Sequence, residues 1–280
     1  ASGSTRIPPR SATERTLAAV WADVLGLDAV GIHDDFFELG GDSLSSIRVI
    51  SRAARAGVSL RPEVFFEAPT IAALAAHADE ATRTAAADAE QGPVMGDGPL
   101  TPIQSWFFES ITTGTDRWNQ TVLLGLDRVF DAATVERAVE RLVAHHDALR
   151  LVLPLAEGGR VQRFPAPRPT APLRIVDLDD VETDARIVAA EAEAEHADLD
   201  TAAGALFRAV WFRGGPGRER LLLVAHHLVV DAVSWGVLLE DLATLLAPGP
   251  GAAEALPAKT ASALAWARGL EQKAAEAESA

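Results

Sequence analysis

Two short runs in this 280-residue chain carry residue types that can do chemistry. The first, Gly40-Gly41-Asp42-Ser43, sets a hydroxyl where an apolar-periodic helix begins, with Leu44, Ile47 and Ile50 on one face. A helix N-terminus presents unpaired N–H groups and partial positive charge, so a phosphate attached there is favoured. The two glycines would keep the approach clear of side chains. The same residues also read as a plain helix cap, with Asp42 or Ser43 bonding the first turn. The second run, His226-His227-Leu228-Val229-Val230-Asp231, closes a strand. An imidazole ionises near pH ~6.5 and can move protons near neutrality. Adjacent strand residues point to opposite faces, so His226 and His227 cannot both face one metal. With no cysteine and no HExxH spacing, no metal site is expected. The pair also fits one packed and one exposed histidine, with Asp231 capping the helix that follows.

The elements that must position these residues fall into two regions. Residues 1–10 form a polar lead-in. From Ser11 a helix runs with Leu17, Val20, Trp21, Val24 and Leu25 on one face and Gly26 as its stop. A loop from Asp28 to Gly41 leads to the Ser43 helix, Pro62 opens a short turn with Val64, Phe65 and Phe66, and Thr70 caps a last helix. This is an all-α four-helix bundle over residues 11–82. The stretch Thr82 to Gly98, rich in Ala, Asp and Gly, reads as a linker with an r.m.s. span of roughly 20–25 Å. Beyond it, helices alternate with strands, the grammar of an α/β lobe. Pro102–Ser110 is a short helix, and 121–126, 151–155 and 173–176 are strands. Asp131–Leu149 is one amphipathic helix that includes His146, and Glu182–Ala197 is an acidic helix. The turn Gly214-Gly215-Pro216-Gly217 joins strands 206–213 and 219–226 into a hairpin. Helices from Ser234 and from Thr260 complete the region.

Composition bounds the rest. Lys+Arg 25 against Asp+Glu 40 gives a net charge of −15, which repels phosphate backbones and argues against nucleic acid as a partner. No apolar run reaches the ~20 residues of a membrane span, and the N-terminus lacks a signal-peptide core. A cytoplasmic protein is expected.

Asp34-Asp35-Phe36-Phe37-Glu38-Leu39-Gly40-Gly41-Asp42-Ser43-Leu44 closely resembles the attachment motif of peptidyl carrier proteins in nonribosomal peptide synthetases, as does Phe65-Phe66-Glu67-Ala68-Pro69-Thr70-Ile71. The resemblance implies that Ser43, with Gly41, Asp42 and Leu44 around it, accepts 4′-phosphopantetheine from a phosphopantetheinyl transferase. The arm's thiol would then carry an aminoacyl or peptidyl thioester between upstream adenylation and downstream condensation domains. The His226–Trp235 segment resembles the active-site motif of the condensation-domain superfamily, which shares the chloramphenicol-acetyltransferase-like fold. It implies that His227 is catalytic and faces a channel, that His226 is structural, and that Asp231 pairs with Arg150 of His145-His146-Asp147-Ala148-Leu149-Arg150. His146 is taken as a core residue and His145 as solvent-facing or lying behind the site.

Within that superfamily, Ala232-Val233-Ser234-Trp235 after the Asp is similar to epimerization rather than condensation domains. So are Leu100-Thr101-Pro102-Ile103-Gln104-Ser105-Trp106-Phe107-Phe108-Glu109, Trp118-Asn119-Gln120 and Leu256-Pro257-Ala258-Lys259-Thr260. The implied reaction is L-to-D proton exchange at Cα of the thioester, with His227 opposite a glutamate of a C-terminal lobe. Residues 99–280 are 182 in number, about one of the two lobes such a domain has, and no glutamate here matches that role. The expectation is a carrier plus N-terminal lobe, truncated or split from its C-lobe and inactive alone. The alternatives are a carrier and docking fragment without catalysis, or an amide-forming condensation domain.

Overall fold

The computed structural model describes residues 7–60, 62–81, 90–168, 170–204, 206–249 and 256–278, and divides into two compact units, 1–89 and 90–280. In the first, helices α1 (Ala12–Leu25), α2 (Ser43–Arg55), α3 (Pro62–Glu67) and α4 (Ile71–Ala81) enclose one core. Ser11 caps α1 through a reciprocal box with Glu14, and Gly26 ends it in the left-handed region at φ 67°. Leu17, Trp21, Val49, Phe36 and Phe65 are fully buried, and the Phe36 ring meets Trp21 and Phe65 edge-on at 4.8 and 4.9 Å.

In the second unit the central sheet has strand order β2-β8-β7-β6, where β2 is Asn119–Gly125, β6 Leu173–Asp177, β7 Phe207–Arg213 and β8 Arg220–His226. Only β6–β7 is parallel; the β7–β8 hairpin and the β2–β8 pair are antiparallel. Both faces of β8 are covered, which explains its unbroken apolar run. Leu221, Leu223 and Ala225 pack with Val135, Leu142, Leu238 and Leu242 of α6 (Ala132–His145) and α8 (Ala232–Leu246). Leu222 and Val224 pack against α7 (Val181–Ala197) through Ile187, Val188 and Ala192. Helices α5 (Pro102–Ser110) and α9 (Ala263–Glu278) complete the unit. Among the described residues no helix is long and apolar enough to cross a membrane.

Three expectations change here. Part of the stretch read as linker (82–98) is folded: Gly96–Gly98 form β1, paired antiparallel with β5 (Gln162–Phe164), and Val94 is buried; residues 82–89 lie outside the described residues. Helix α6 stops at His145 and a 3-10 turn over Asp147–Arg150 replaces its last turn, which keeps Leu149 on the buried stripe while changing the direction of the chain. Residues 151–154 form no strand; only Val152 bridges Arg163, and β3 (Leu155–Ala156) pairs with β4 (Gly159–Arg160).

Candidate functional site

The cap of α2 is Asp42. Its Oδ1 accepts the Ser45 N–H at 2.7 Å, and the Ser45 Oγ accepts the Asp42 N–H at 2.7 Å. Bonds from the Ser45 hydroxyl, then from its backbone N–H, hold the Asp42 carboxyl below the ordinary carboxylate range. Ser43 is therefore the first helical residue, exposed with Leu44 beside it, and its carbonyl accepts from Ser46 Oγ at 2.8 Å. The glycines also have a role in the loop itself. A Cβ on Gly41 would stand 2.3 Å from the Phe36 ring, so Gly41 lets the loop close over Phe36, while Gly40 takes the left-handed φ of 95° with open space around it. A hydroxyl that needs only one ester bond requires exposure and open surroundings, and Ser43 has both.

His226 and His227 diverge as strand alternation requires. His226 is fully buried; its Nε2–H donates to the Thr115 carbonyl at 2.7 Å and its Nδ1 accepts from the Leu228 N–H at 3.1 Å. Burial pushes its ionisation below the ordinary histidine value. His227 continues the ladder, its N–H bonding the Trp118 carbonyl at 2.7 Å, which brings it to the face of the sheet that Gln120 shares. Its ring is exposed and tied at both nitrogens: Nδ1 lies 2.9 Å from the Val230 carbonyl and Nε2 lies 3.1 Å from the Gln120 side-chain nitrogen. Gln120 Oε1 accepts from Trp235 Nε1–H at 2.8 Å.

The expected Arg150–Asp231 pair does not form. Asp231 Oδ1 caps α8, accepting from the N–H and Oγ of Ser234 at 2.7 Å each. Arg150 is buried and donates five hydrogen bonds: to the carbonyls of Val143, Ala144, Val94 and Pro165 and to Asp147 Oδ1 at 2.7 Å. Two of those carbonyls lie at the end of α6, where the 3-10 turn leaves them without intrahelical donors. Arg150 lies three residues from Asp147, a contact that one turn provides directly. Asp147 Oδ2 takes the Lys259 ammonium at 2.7 Å, so the charge of each partner is answered locally. Sequence reasoning missed Asp147 and Lys259: each lies in a motif-like segment, but their 112-residue separation hides the pairing.

His146 Nε2 meets the buried Asp241 Oδ2 at 2.7 Å, and with His145 this is one group, among the described residues, whose ligand-type atoms lie within 4.8 Å of one another. Burial, then the neighbouring His146, lowers the ionisation of His145. The positive charge of Lys259, which pairs with Asp147, is also felt at His145 and opposes a cation there.

Residues 94–278 match the condensation domain family, and residues 15–78 match the phosphopantetheine attachment site family. The chain belongs to the condensation-domain family. Its first unit is a carrier domain, which takes 4′-phosphopantetheine covalently, and the whole is a carrier and condensation-superfamily segment of the nonribosomal peptide synthetase kind. A linear gramicidin synthase of Brevibacillus parabrevis is 45% identical over 274 residues, a match that covers 96% of this chain and 5% of that protein's length. Tyrocidine synthase 1 of the same organism is 36% identical over 282 residues, which is 97% of this chain and 25% of that protein. The condensation-family unit is also similar to the solved epimerization domain from the third module of tyrocidine synthetase B. That match has 35% identity and a TM-score of 0.58, and covers 66% of this chain and 42% of that one. The starter condensation domain of rhizomide synthetase, 18% identical with a TM-score of 0.54 over 64% of this chain and 44% of that one, shares the fold.

Proposed function

We propose that this chain is a carrier and epimerization segment in which Ser43 holds the cargo and His227 exchanges the proton that sets its handedness. When bound to Ser43, phosphopantetheine supplies a thiol that presents an aminoacyl or peptidyl group as a thioester, whose Cα–H is acidified. A phosphopantetheinyl transferase, an adenylation domain and a condensation domain are the partners this requires. The observation that carries the reading is the His227 ring: exposed, with Nδ1 bonded to the Val230 carbonyl and Nε2 meeting the Gln120 side chain. Nδ1 is therefore the protonated nitrogen and Nε2 the basic one; its lone pair accepts from the Gln120 amide, and proton exchange at Cα requires the substrate to take that amide's place. His226, with both nitrogens bonded inside the unit, supports the strand end and does no proton transfer. Two segments that resemble epimerization domains are linked here: Gln120 of Trp118-Asn119-Gln120 bonds this ring, and Trp235 of Ala232-Val233-Ser234-Trp235 bonds Gln120. Inversion needs a second acid–base group on the opposite face, and no residue of this chain is assigned to it.

The test is deuterium wash-in at Cα of a loaded aminoacyl thioester in a synthetase carrying this segment. His227→Ala is expected to abolish wash-in and Ser43→Ala to prevent loading; near-normal exchange in the first variant removes the assignment. The similarity to condensation domains favours a second reading, amide formation, which chiral analysis separates: a D-configured thioester supports epimerization, and an unchanged centre joined to an acceptor amine supports condensation.

A further inference from the structure

We propose that Gln120 and Trp235 are a positioning pair that fixes the protonation pattern of His227; the inference rests on the epimerase reading for its catalytic meaning only. An indole N–H can donate and never accept. At 2.8 Å from Trp235 Nε1, the Gln120 amide must therefore present its oxygen, which turns its NH2 toward His227. That NH2 is donor-only, so the Nε2 it faces at 3.1 Å must accept, and Nδ1 at 2.9 Å from the Val230 carbonyl must donate. The three bonds agree on one neutral tautomer, and reversing any one of them sets donor against donor or acceptor against acceptor.

Packing enforces the arrangement. Gln120 lies on β2 and the buried Trp235 on the first turn of α8, and the core between sheet and helix fixes their separation. When Nε2 gains a proton it faces the Gln120 NH2, a second donor, so the site gives that proton no resting partner there. A base that must hand its proton on, and not keep it, is what a reversible exchange at Cα requires.

The pair is tested by 15N NMR of the histidine-labelled 280-residue chain, with the His227 signals assigned by their loss in His227→Gln. The unsubstituted protein should show a pyridine-type Nε2 and a pyrrole-type Nδ1. Gln120→Glu still accepts from Trp235 but now demands a donor from Nε2, so the pyridine-type resonance should be lost. Trp235→Phe frees the amide to flip and should weaken that resonance, and adding Gln120→Leu should restore it, because no acceptor then remains. An unchanged His227 spectrum in Gln120→Glu, or in Trp235→Phe with the sheet amide signals intact, overturns the pair. In the synthetase, Gln120→Glu should lower turnover for Cα exchange about 100-fold with KM unchanged. Exchange that survives His227→Ala sinks the epimerase reading while leaving the NMR result standing; unchanged spectra with exchange lost in His227→Ala sink the pair alone.

Discussion

Asp42 and Asp231 cap their helices in the same way: each Oδ1 accepts at 2.7 Å the N–H of a serine three residues on, Ser45 in one unit and Ser234 in the other. The residue that matters beside each cap is treated in opposite ways. Ser43 stands exposed while its neighbours bond one another, whereas His227 is held by its backbone N–H and by both ring nitrogens. A point of attachment needs only to be reachable. A group that moves a proton has to be aimed, and the aiming groups come from β2, from the 228–231 turn and from α8, far apart in the chain.

If the second unit depends on its buried polar network while the first needs only caps and packing, the largest loss should follow removal of that network's hub. Arg150→Ala should cost about 3 kcal/mol, since it leaves the carbonyls closing α6 without donors and removes one of the two cations on Asp147, which keeps Lys259. Arg150→Lys should recover little of this, because an ammonium cannot reach those acceptors together; chemical denaturation measures both. Gly41→Ala forces a Cβ against Phe36 and should cost about 1–3 kcal/mol within the carrier unit, with Ser43 still modified by a transferase and coenzyme A, read by intact mass. Asp42→Ala and Asp231→Ala should each cost about 1 kcal/mol, and Asp231→Ala combined with Arg150→Ala should be additive, as expected of residues that do not pair.

The smallest effect is on pH. His226 binds its proton less readily folded than unfolded, so below about pH 6.5 the unfolded chain takes up more protons and the second unit loses stability. Glu14 runs the other way in range: the Arg10 guanidinium, first among its causes, lowers it to about 2. Its contribution is therefore complete above about pH 4.3 and is lost as pH falls from there toward 2. Melting each unit from pH 7 to 3 should show the second failing first, and equal acid sensitivity would remove this difference between the units.

Local devices are readable from sequence: Gly26 as a stop, the Gly214–Gly217 turn, and the divergence of His226 from His227 all depend on residues a few places apart. What escapes such reading depends on pairing across long separations. β1 is held to β5 by contacts such as Asp97 with Arg163, 66 residues on, and nothing in Gly96-Asp97-Gly98 alone signals a strand. The end of α6 is hidden because the 3-10 turn continues the same apolar stripe. Arg150 is the buried support that its motif implies, but it answers Asp147, three residues away in the same segment, and not Asp231. Gln120 stands out in sequence only for its likeness to a family motif; its chemistry becomes visible when β2 is laid beside β8.

Asp147 also has a mechanical meaning. It receives the Val94 N–H, Arg150 and Lys259, the last 112 residues away, while Gln91 bonds the Lys259 backbone. A pull on the chain at Gln91 would therefore load the bonds that Lys259 and Asp147 make before it reached the central sheet.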